Sequence, residues 1–198
     1  FCSRWVPGLV RDINSGSDDS YPYQFTTVGN TLYFSADDGT NGNELWKSDG
    51  TASGTMMVKD IYTGSDDSYP YQLTTVGNTL YFSAADGTNG SELWKSDGTT
   101  NGTMMVKNIN SGNDTSYPSF LTAIGNTLYF QANDGTNGTE LWKSDGTATG
   151  TVMVKDIYSE SSQQSSYPSE LTAVGNTLYF NANDGTNGTE LWKSNGTA

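Results

Sequence analysis

Four loops of the chain carry the residue types that hard cations prefer. Each reads Asp-Gly-Thr-Asn-Gly, and together they set Asp38, Asp86, Asp134 and Asp184 at matching positions. Ca²⁺ takes about six to eight oxygens from carboxylates, carbonyls and water, and loops of Asp, Asn and Gly bend readily enough to supply them. The four aspartates are therefore candidate calcium ligands, although their spacing is not that of an EF-hand. A local explanation competes: Asp-Gly and Asn-Gly are what tight turns use, with the side chain bonded to its own backbone.

Two aromatic sets recur in the same way. Tyr21, Tyr69, Tyr117 and Tyr167 each precede a proline in a polar loop. They are candidate exposed contacts for a ligand or partner, with a rival duty of stapling the loop to a sheet edge. Trp46, Trp94, Trp142 and Trp192 each follow a glutamate by two residues: Glu44, Glu92, Glu140 and Glu190. Indole rings beside Asn and Asp could stack on sugars, which gives a multivalent lectin reading. One large aromatic per repeat more often packs between neighbouring sheets, and that is the expectation here. A glutamate two positions away projects to the same strand face, which suits a contact with the tryptophan or a bond to a nearby turn.

Catalysis is not expected. The chain has no histidine and no nucleophile elbow, and its acids recur in near-identical copies. Acid–base chemistry needs two groups held in different environments. The net charge of −13 argues against nucleic acid, whose phosphates call for a basic surface. No apolar run approaches the ~18 residues of a membrane-spanning helix. Cys2 is the single cysteine, so an internal disulfide framework is impossible and a thiolate or imidazole metal site nearly so. It is either a spare thiol or an intermolecular link. The sequence opens on Phe1 without a visible signal peptide, which reads as a processed product or a fragment.

The elements that must position these residues follow from a period. Glu-Leu-Trp-Lys-Ser-Asp-Gly-Thr runs over 44–51, 92–99 and 140–147, and returns at 190–197 with Asn195 for the aspartate. Successive tryptophans lie 48, 48 and 50 residues apart. Residues 1–8 match nothing later and form a leader, and 9–198 is one domain of four repeats. The two-residue insertion falls in the fourth polar loop, at Gln163 and Gln164. In the second copy four strands are expected: a at 73–76, b at 79–84, c at 92–96 and d at 103–109. Gly77-Asn78 makes the a–b hairpin. Leu80, Phe82 and Ala84 face one way, and Tyr81 and Ser83 the other.

Repeated four-stranded antiparallel units of this length predict an all-β fold, a four-bladed β-propeller whose blades must stack to bury their faces. Its axial channel would be lined by Thr74, Thr75, Thr122 and Thr172. The phase leaves a spare d strand at Leu9, Val10, Arg11, Asp12 and Ile13, and a last blade lacking one beside Glu190, Leu191, Trp192, Lys193 and Ser194. Pairing these within the chain closes the ring and removes a sheet edge. Pairing them between chains gives open blades linked head-to-tail by strand donation, a polymer. Asn-x-Ser/Thr sequons stand at Asn89, Asn101, Asn113, Asn137, Asn187 and Asn195, candidate glycan sites in a secreted chain.

Across residues 9–198 the repeat resembles the bacterial ELWxxDGT repeat proteins, also described as hyalin-like. The matching pattern is Leu-Tyr-Phe-x-Ala-x-Asp-Gly-Thr-Asn-Gly-x-Glu-Leu-Trp-Lys-Ser-Asp-Gly-Thr, then Met-Val-Lys-Asp-Ile, with departures at Arg11, Asn108 and Asn195. The resemblance implies propeller-like blades in a secreted or surface-attached protein, and it brings no ligand or catalytic residue with it. The expected function is a non-enzymatic extracellular structural or adhesive module presenting acidic loops to a protein or glycan, with Ca²⁺ as the candidate cofactor. The expected alternative is a self-assembling extracellular filament subunit.

Overall fold

The computed structural model describes residues 6–159 and 164–197. Cys2 with the first five residues of the leader, Gln163 of the inserted loop, and Ala198 lie outside the described residues. All regular structure described is β, in four antiparallel sheets met in chain order. Blade one holds β1 (Tyr23–Val28), β2 (Thr31–Asp37), β3 (Asn43–Ser48) and β4 (Met56–Lys59). Blade two holds β5 (Tyr71–Val76), β6 (Thr79–Ala85), β7 (Ser91–Ser96) and β8 (Met104–Lys107). Blade three holds β9 (Ser119–Ile124), β10 (Thr127–Asn133), β11 (Thr139–Ser144) and β12 (Val152–Lys155). Blade four has three described strands, β13 (Ser169–Val174), β14 (Thr177–Asn183) and β15 (Thr189–Ser194).

Two departures from the expected strands have physical causes. The first strand of each blade starts earlier than its apolar pattern, across a bulge. Gln24, Gln72, Phe120 and Glu170 sit there at φ 55–59°, where the left-handed backbone turns the side chain along the stack. Gln24 Oε1 accepts from Gln72 N–H at 3.0 Å, and Gln72 Oε1 from Phe120 N–H at 3.1 Å. The fourth strand is shorter than 103–109 because its end leaves the ladder: Ile109 and Asn110 give their N–H groups to Glu92 instead.

Period-2 alternation makes both faces of a blade apolar, so stability comes from stacking. Leu80, Phe82, Ala84 and Trp94 of blade two pack on Tyr33, Leu45, Val58 and Ile61 of blade one. The same sets recur between blades two and three and between three and four. Tyr81 faces the other way, towards blade three, as the alternation predicts. Each buried leucine is worth about 1.5–3 kcal/mol. The first strands lie side by side, and Thr26, Thr74 and Thr122 each donate a hydroxyl to a backbone carbonyl of the next blade, at 2.9–3.2 Å. Thr75 donates back to Thr27 O, whereas Thr172 donates to Glu170 O of its own strand.

The closure expected from the sequence is not what the structure has. Residues 9–13 form no strand and pair with none of the described strands, and β15 pairs with β14 alone. The blades stack one, two, three, four, and no ladder links the first to the last. The N-terminal segment is held on blade one instead. Arg11 lies 5.9 Å from the Trp46 ring centroid and donates to Thr55 O at 2.5 Å. Lys59 does the same to Trp94 and Thr103 O, and Lys107 to Trp142 and Thr151 O. Residues 9–13 therefore sit where the fourth strand of a preceding blade would. The stacking contact with the next tryptophan fixes that position.

Candidate functional site

Three of the four glutamates of the repeated motif are fully buried charged side chains. Glu44, Glu92 and Glu140 are 0% exposed. Glu44 accepts from Ile61 N–H (2.9 Å), Tyr62 N–H (3.2 Å) and the Ser68 hydroxyl (2.7 Å). Glu92 gathers Ile109 N–H, Asn110 N–H and both Ser116 donors, and Glu140 gathers Ile157 N–H and both Ser166 donors. Each carboxylate thus ties the loop leaving its blade onto the strand before it. Burial pushes the Glu44 carboxyl up to about 7, against the pull of those hydrogen bonds. Glu92 and Glu140 are raised for the same reason. Of the two roles open to these residues from sequence, the bond to a neighbouring turn is the one observed.

The tryptophans pack rather than present themselves. Trp46, Trp94 and Trp142 are buried, and their indole N–H groups find no hydrogen-bond partner. Ring burial and the overlying cation are their contribution, the latter worth about 0.5–2 kcal/mol. Both signals that link blades through Lys, to the tryptophan ring and to a turn carbonyl, went unread in the sequence. Lys47, Lys95 and Lys143 donate to Gly98 O, Gly146 O and Gly196 O. Tyr33, Tyr81 and Tyr129 press their hydroxyls on those same glycines, leaving no room for a Cβ.

Asp38, Asp86, Asp134 and Asp184 are all built alike. In each, Oδ1 accepts the N–H groups two and three residues on, and Oδ2 accepts the side-chain amide of the following asparagine, at 2.7–2.9 Å. For Asp38, burial disfavours ionisation, but the bonds from Asn41 and Thr40 outweigh it and lower its pKa. Both carboxylate oxygens are engaged in the turn, which accounts for the repetition of the motif. Among the sequons, Asn89, Asn137 and Asn187 use their amides in these turns, while Asn101, Asn113 and Asn195 are exposed.

Tyr21, Tyr69, Tyr117 and Tyr167 stand 60–71% exposed. Each has φ of 43–50°, a backbone region that costs a bulky residue about 1–3 kcal/mol. The serine just before three of them is buried against a glutamate, and this anchors the strained turn that lifts the ring into solvent. Tyr21 and Tyr69 have their phenol pKa raised by hydrogen bonds with Asp19 and Asp67.

Blade four differs from the others on its outer side. Glu190 is exposed, Leu191 is 73% exposed, and a groove of roughly 500 Å³ opens beside Trp192, lined also by Leu141, Val154 and Tyr179. The matching groove in blades one to three is filled by Met57, Met105 and Met153 of the fourth strand.

Comparison with known proteins gives fold and nothing finer. No family model matches the chain, and no curated protein does. Among solved structures, puromycin hydrolase superposes with a TM-score of 0.59 at 14% identity, over 89% of this chain and 27% of that one. Its S511A mutant complexed with PGG gives 0.56 at 14% identity, over 83% and 25%. A computationally designed protein, Ika8, is similar over 92% of this chain and 48% of its own at a TM-score of 0.48 and 18% identity. The chain thus spans about a quarter of the length of puromycin hydrolase. At such identity the likeness to the two puromycin hydrolase structures shows a shared arrangement of stacked antiparallel sheets.

Proposed function

We propose that the chain is a non-enzymatic structural module, a propeller-like stack of blades that works outside the cell by presenting repeated surface to a partner. One observation carries this reading. The repeated Lys and Trp side chains of the interior blades are spent on holding blade to blade, the repeated Glu on holding the loop that leaves each blade, and the repeated Asp on holding turns. Groups so committed have no free valence for turnover. The acidic surface and the resemblance of the repeat to ELWxxDGT proteins support an extracellular setting. The test is incubation with ester, peptide and glycoside reporter substrates. No turnover above a heat-denatured control is expected, and turnover that is lost in Asp86→Asn would overturn the reading.

The four exposed tyrosines favour a second, compatible reading as an adhesive rim for protein or glycan. Their rings point to solvent on strained turns, whereas the tryptophans are buried beneath cations. A glycan array probed with the wild-type chain and with a variant carrying Tyr→Ser at 21, 69, 117 and 167 separates the two. Binding lost in the variant supports the rim as a multivalent lectin surface, and binding that survives in the variant sinks it.

A further inference from the structure

We propose that the junction of blades one and two carries a docking patch for an arginine- or lysine-rich segment of another protein, formed by Tyr23, Asp37, Asp67, Tyr69 and Tyr71. This rests on the reading of the tyrosines as a contact rim and names the partner. A difference between repeats that are otherwise nearly alike carries it.

The patch is assembled around Asn43 of β3. Asn43 O accepts the N–H groups of Ser68 (3.1 Å) and Tyr69 (3.3 Å), and Asn43 N–H donates to Asp67 Oδ1 at 2.6 Å. Asn43 Oδ1 accepts the Tyr23 hydroxyl at 3.4 Å, and Asp37 is the residue opposite Asn43 in the β2–β3 ladder. Tyr69 and Tyr71 stand 60% and 47% exposed, and Tyr23 is half-buried behind them. The groups act on one another. The Tyr69 phenol is raised by its hydrogen bond with Asp67 and by that carboxylate's charge, and more weakly by burial, Tyr23 and Asp37. Burial raises the Tyr23 phenol, and Asp67 and Tyr71 add to the rise.

Blades three and four show how little of this the fold itself requires. Where Asp67 accepts a backbone N–H with a carboxylate, Thr115 and Ser165 accept the matching one with a hydroxyl, at 3.2 and 2.9 Å. Where Asp37 Oδ1 accepts Gly39 N–H, the amides of Asn133 and Asn183 accept Gly135 N–H and Gly185 N–H, all at 2.7 Å. Tyr71 lies across the ladder from Ser83, whereas Ser119 lies across from Gln131 and accepts its amide at 2.7 Å. Neutral side chains thus serve the same backbone, so both charges and the extra ring are surplus to folding. They collect at one junction as an exposed aromatic surface, which marks contact with something outside the chain.

The chemistry of the patch selects a cation carried on an organic frame. Phenol faces attract guanidinium and ammonium groups, and the carboxylates beside them add charge-assisted hydrogen bonds. A hard metal ion asks for about six oxygens, which aromatic faces do not supply. A second copy is the wrong sign: its net charge is −13, and Lys47, Lys59, Lys95, Lys107 and Lys143 are bonded between its blades. The Ser68 hydroxyl on Glu44, at 2.7 Å, fixes the turn in advance, so little ordering cost falls on the patch when a partner arrives.

The experiment follows binding of a capped peptide of alternating arginine and glycine by calorimetry. It is run in about 0.15 M salt, where a Debye length of about 8 Å screens the acidic surface elsewhere. The first variant gives the patch the residues of blade three: Asp37→Asn, Asp67→Thr and Tyr71→Ser together. It should bind at least about tenfold more weakly with its circular dichroism unchanged, and Asp67→Thr alone about threefold more weakly. A second variant, Asp114→Gln with Tyr117→Ser, removes a charge and a ring from the next junction and should bind as the wild type does. The peptide with citrulline at every arginine should bind at least about tenfold more weakly. A wild-type chain that ignores the arginine peptide overturns the inference. So does citrulline peptide bound as tightly, or a loss that is absent from the first variant and from Asp67→Thr, or equal in both junctions. Glycan binding that depends on the four exposed tyrosines, without binding of the arginine peptide, overturns this inference alone and leaves the contact rim standing.

Discussion

Leu93 and Leu191 occupy the same position of the same motif, yet the first is fully buried and the second 73% exposed. Glu92 and Glu190 differ in the same sense, one taking four hydrogen bonds from the loop that follows it and the other exposed. Identical sequence has acquired opposite surroundings. The motif therefore does not specify burial by itself, and what buries it is the fourth strand and loop that come after.

The sharpest way to break this comparison is to cut both leucines. Leu93→Ala should cost about 2–5 kcal/mol by leaving a cavity between blades two and three. Leu191→Ala should change the stability of the single chain by less than about 0.5 kcal/mol. Denaturant unfolding of dilute protein reads both, and equal losses would mean that blade four is covered in solution within one chain.

The glutamates should separate almost as far. Glu92→Ala strands two backbone N–H groups and the Ser116 donors in a buried site, for about 2–3 kcal/mol. Glu190→Ala in dilute protein should be near neutral. If Glu92→Ala were equally mild, water would be replacing the carboxylate and the loop would not depend on it.

Much of this contrast was legible beforehand, and the reason is periodicity. Alternation alone placed Leu80, Phe82 and Ala84 on one face and Tyr81 on the other, and the hydroxyl-bearing loops gave the exposed tyrosines. Phase identified residues 9–13 as the counterpart of the fourth strands. It could not say that residues 9–13 stay on blade one, because that depends on the rotation between blades, a quantity set by packing and not by order. The bulge at Gln24 was equally hidden, since a left-handed glutamine leaves no mark in composition. Nor does a Glu-x-Trp spacing tell a buried receptor for backbone N–H groups from a surface acid.

A pH series sharpens the difference between buried and exposed carboxyls at smaller amplitude. The Glu44 carboxyl, raised to about 7 by burial from an ordinary 4.5, binds more proton in the native state than in the unfolded chain between those values. Stability it contributes is present at and below the unfolded value and is lost as pH rises through about 7. The aspartates of the turns act oppositely: their lowered pKa supports the fold above the usual carboxylate range, and that support is lost in stronger acid. The expected melting temperature therefore rises by a few degrees from neutral pH towards pH 5 and falls again below about pH 3.5. Glu44→Gln should flatten the upper limb. A melting temperature that falls steadily from neutral pH downwards would mean that the glutamates remain ionised in the native state.

The smallest expected effect belongs to the acidic loops, and there the two blades should agree. Asp86 in blade two and Asp184 in blade four make the same three hydrogen bonds, although one blade is enclosed and the other is not. Their turn is local to each blade and needs no neighbour. Asp86→Ala and Asp184→Ala should each cost about 1 kcal/mol, as the loss of a turn-closing acceptor does. Chelation should leave the melting temperature where it was. The magnitudes make this decisive: a site filled at one hundred times its Kd adds about 2.7 kcal/mol, so one occupied loop among four would show as several degrees. A rise of that size with Ca²⁺, abolished by Asp86→Ala, would mean that the aspartate oxygens trade their turn bonds for a cation. Equal behaviour of the two aspartates without a calcium effect would make the loops blade-autonomous, each turn held by its own carboxylate.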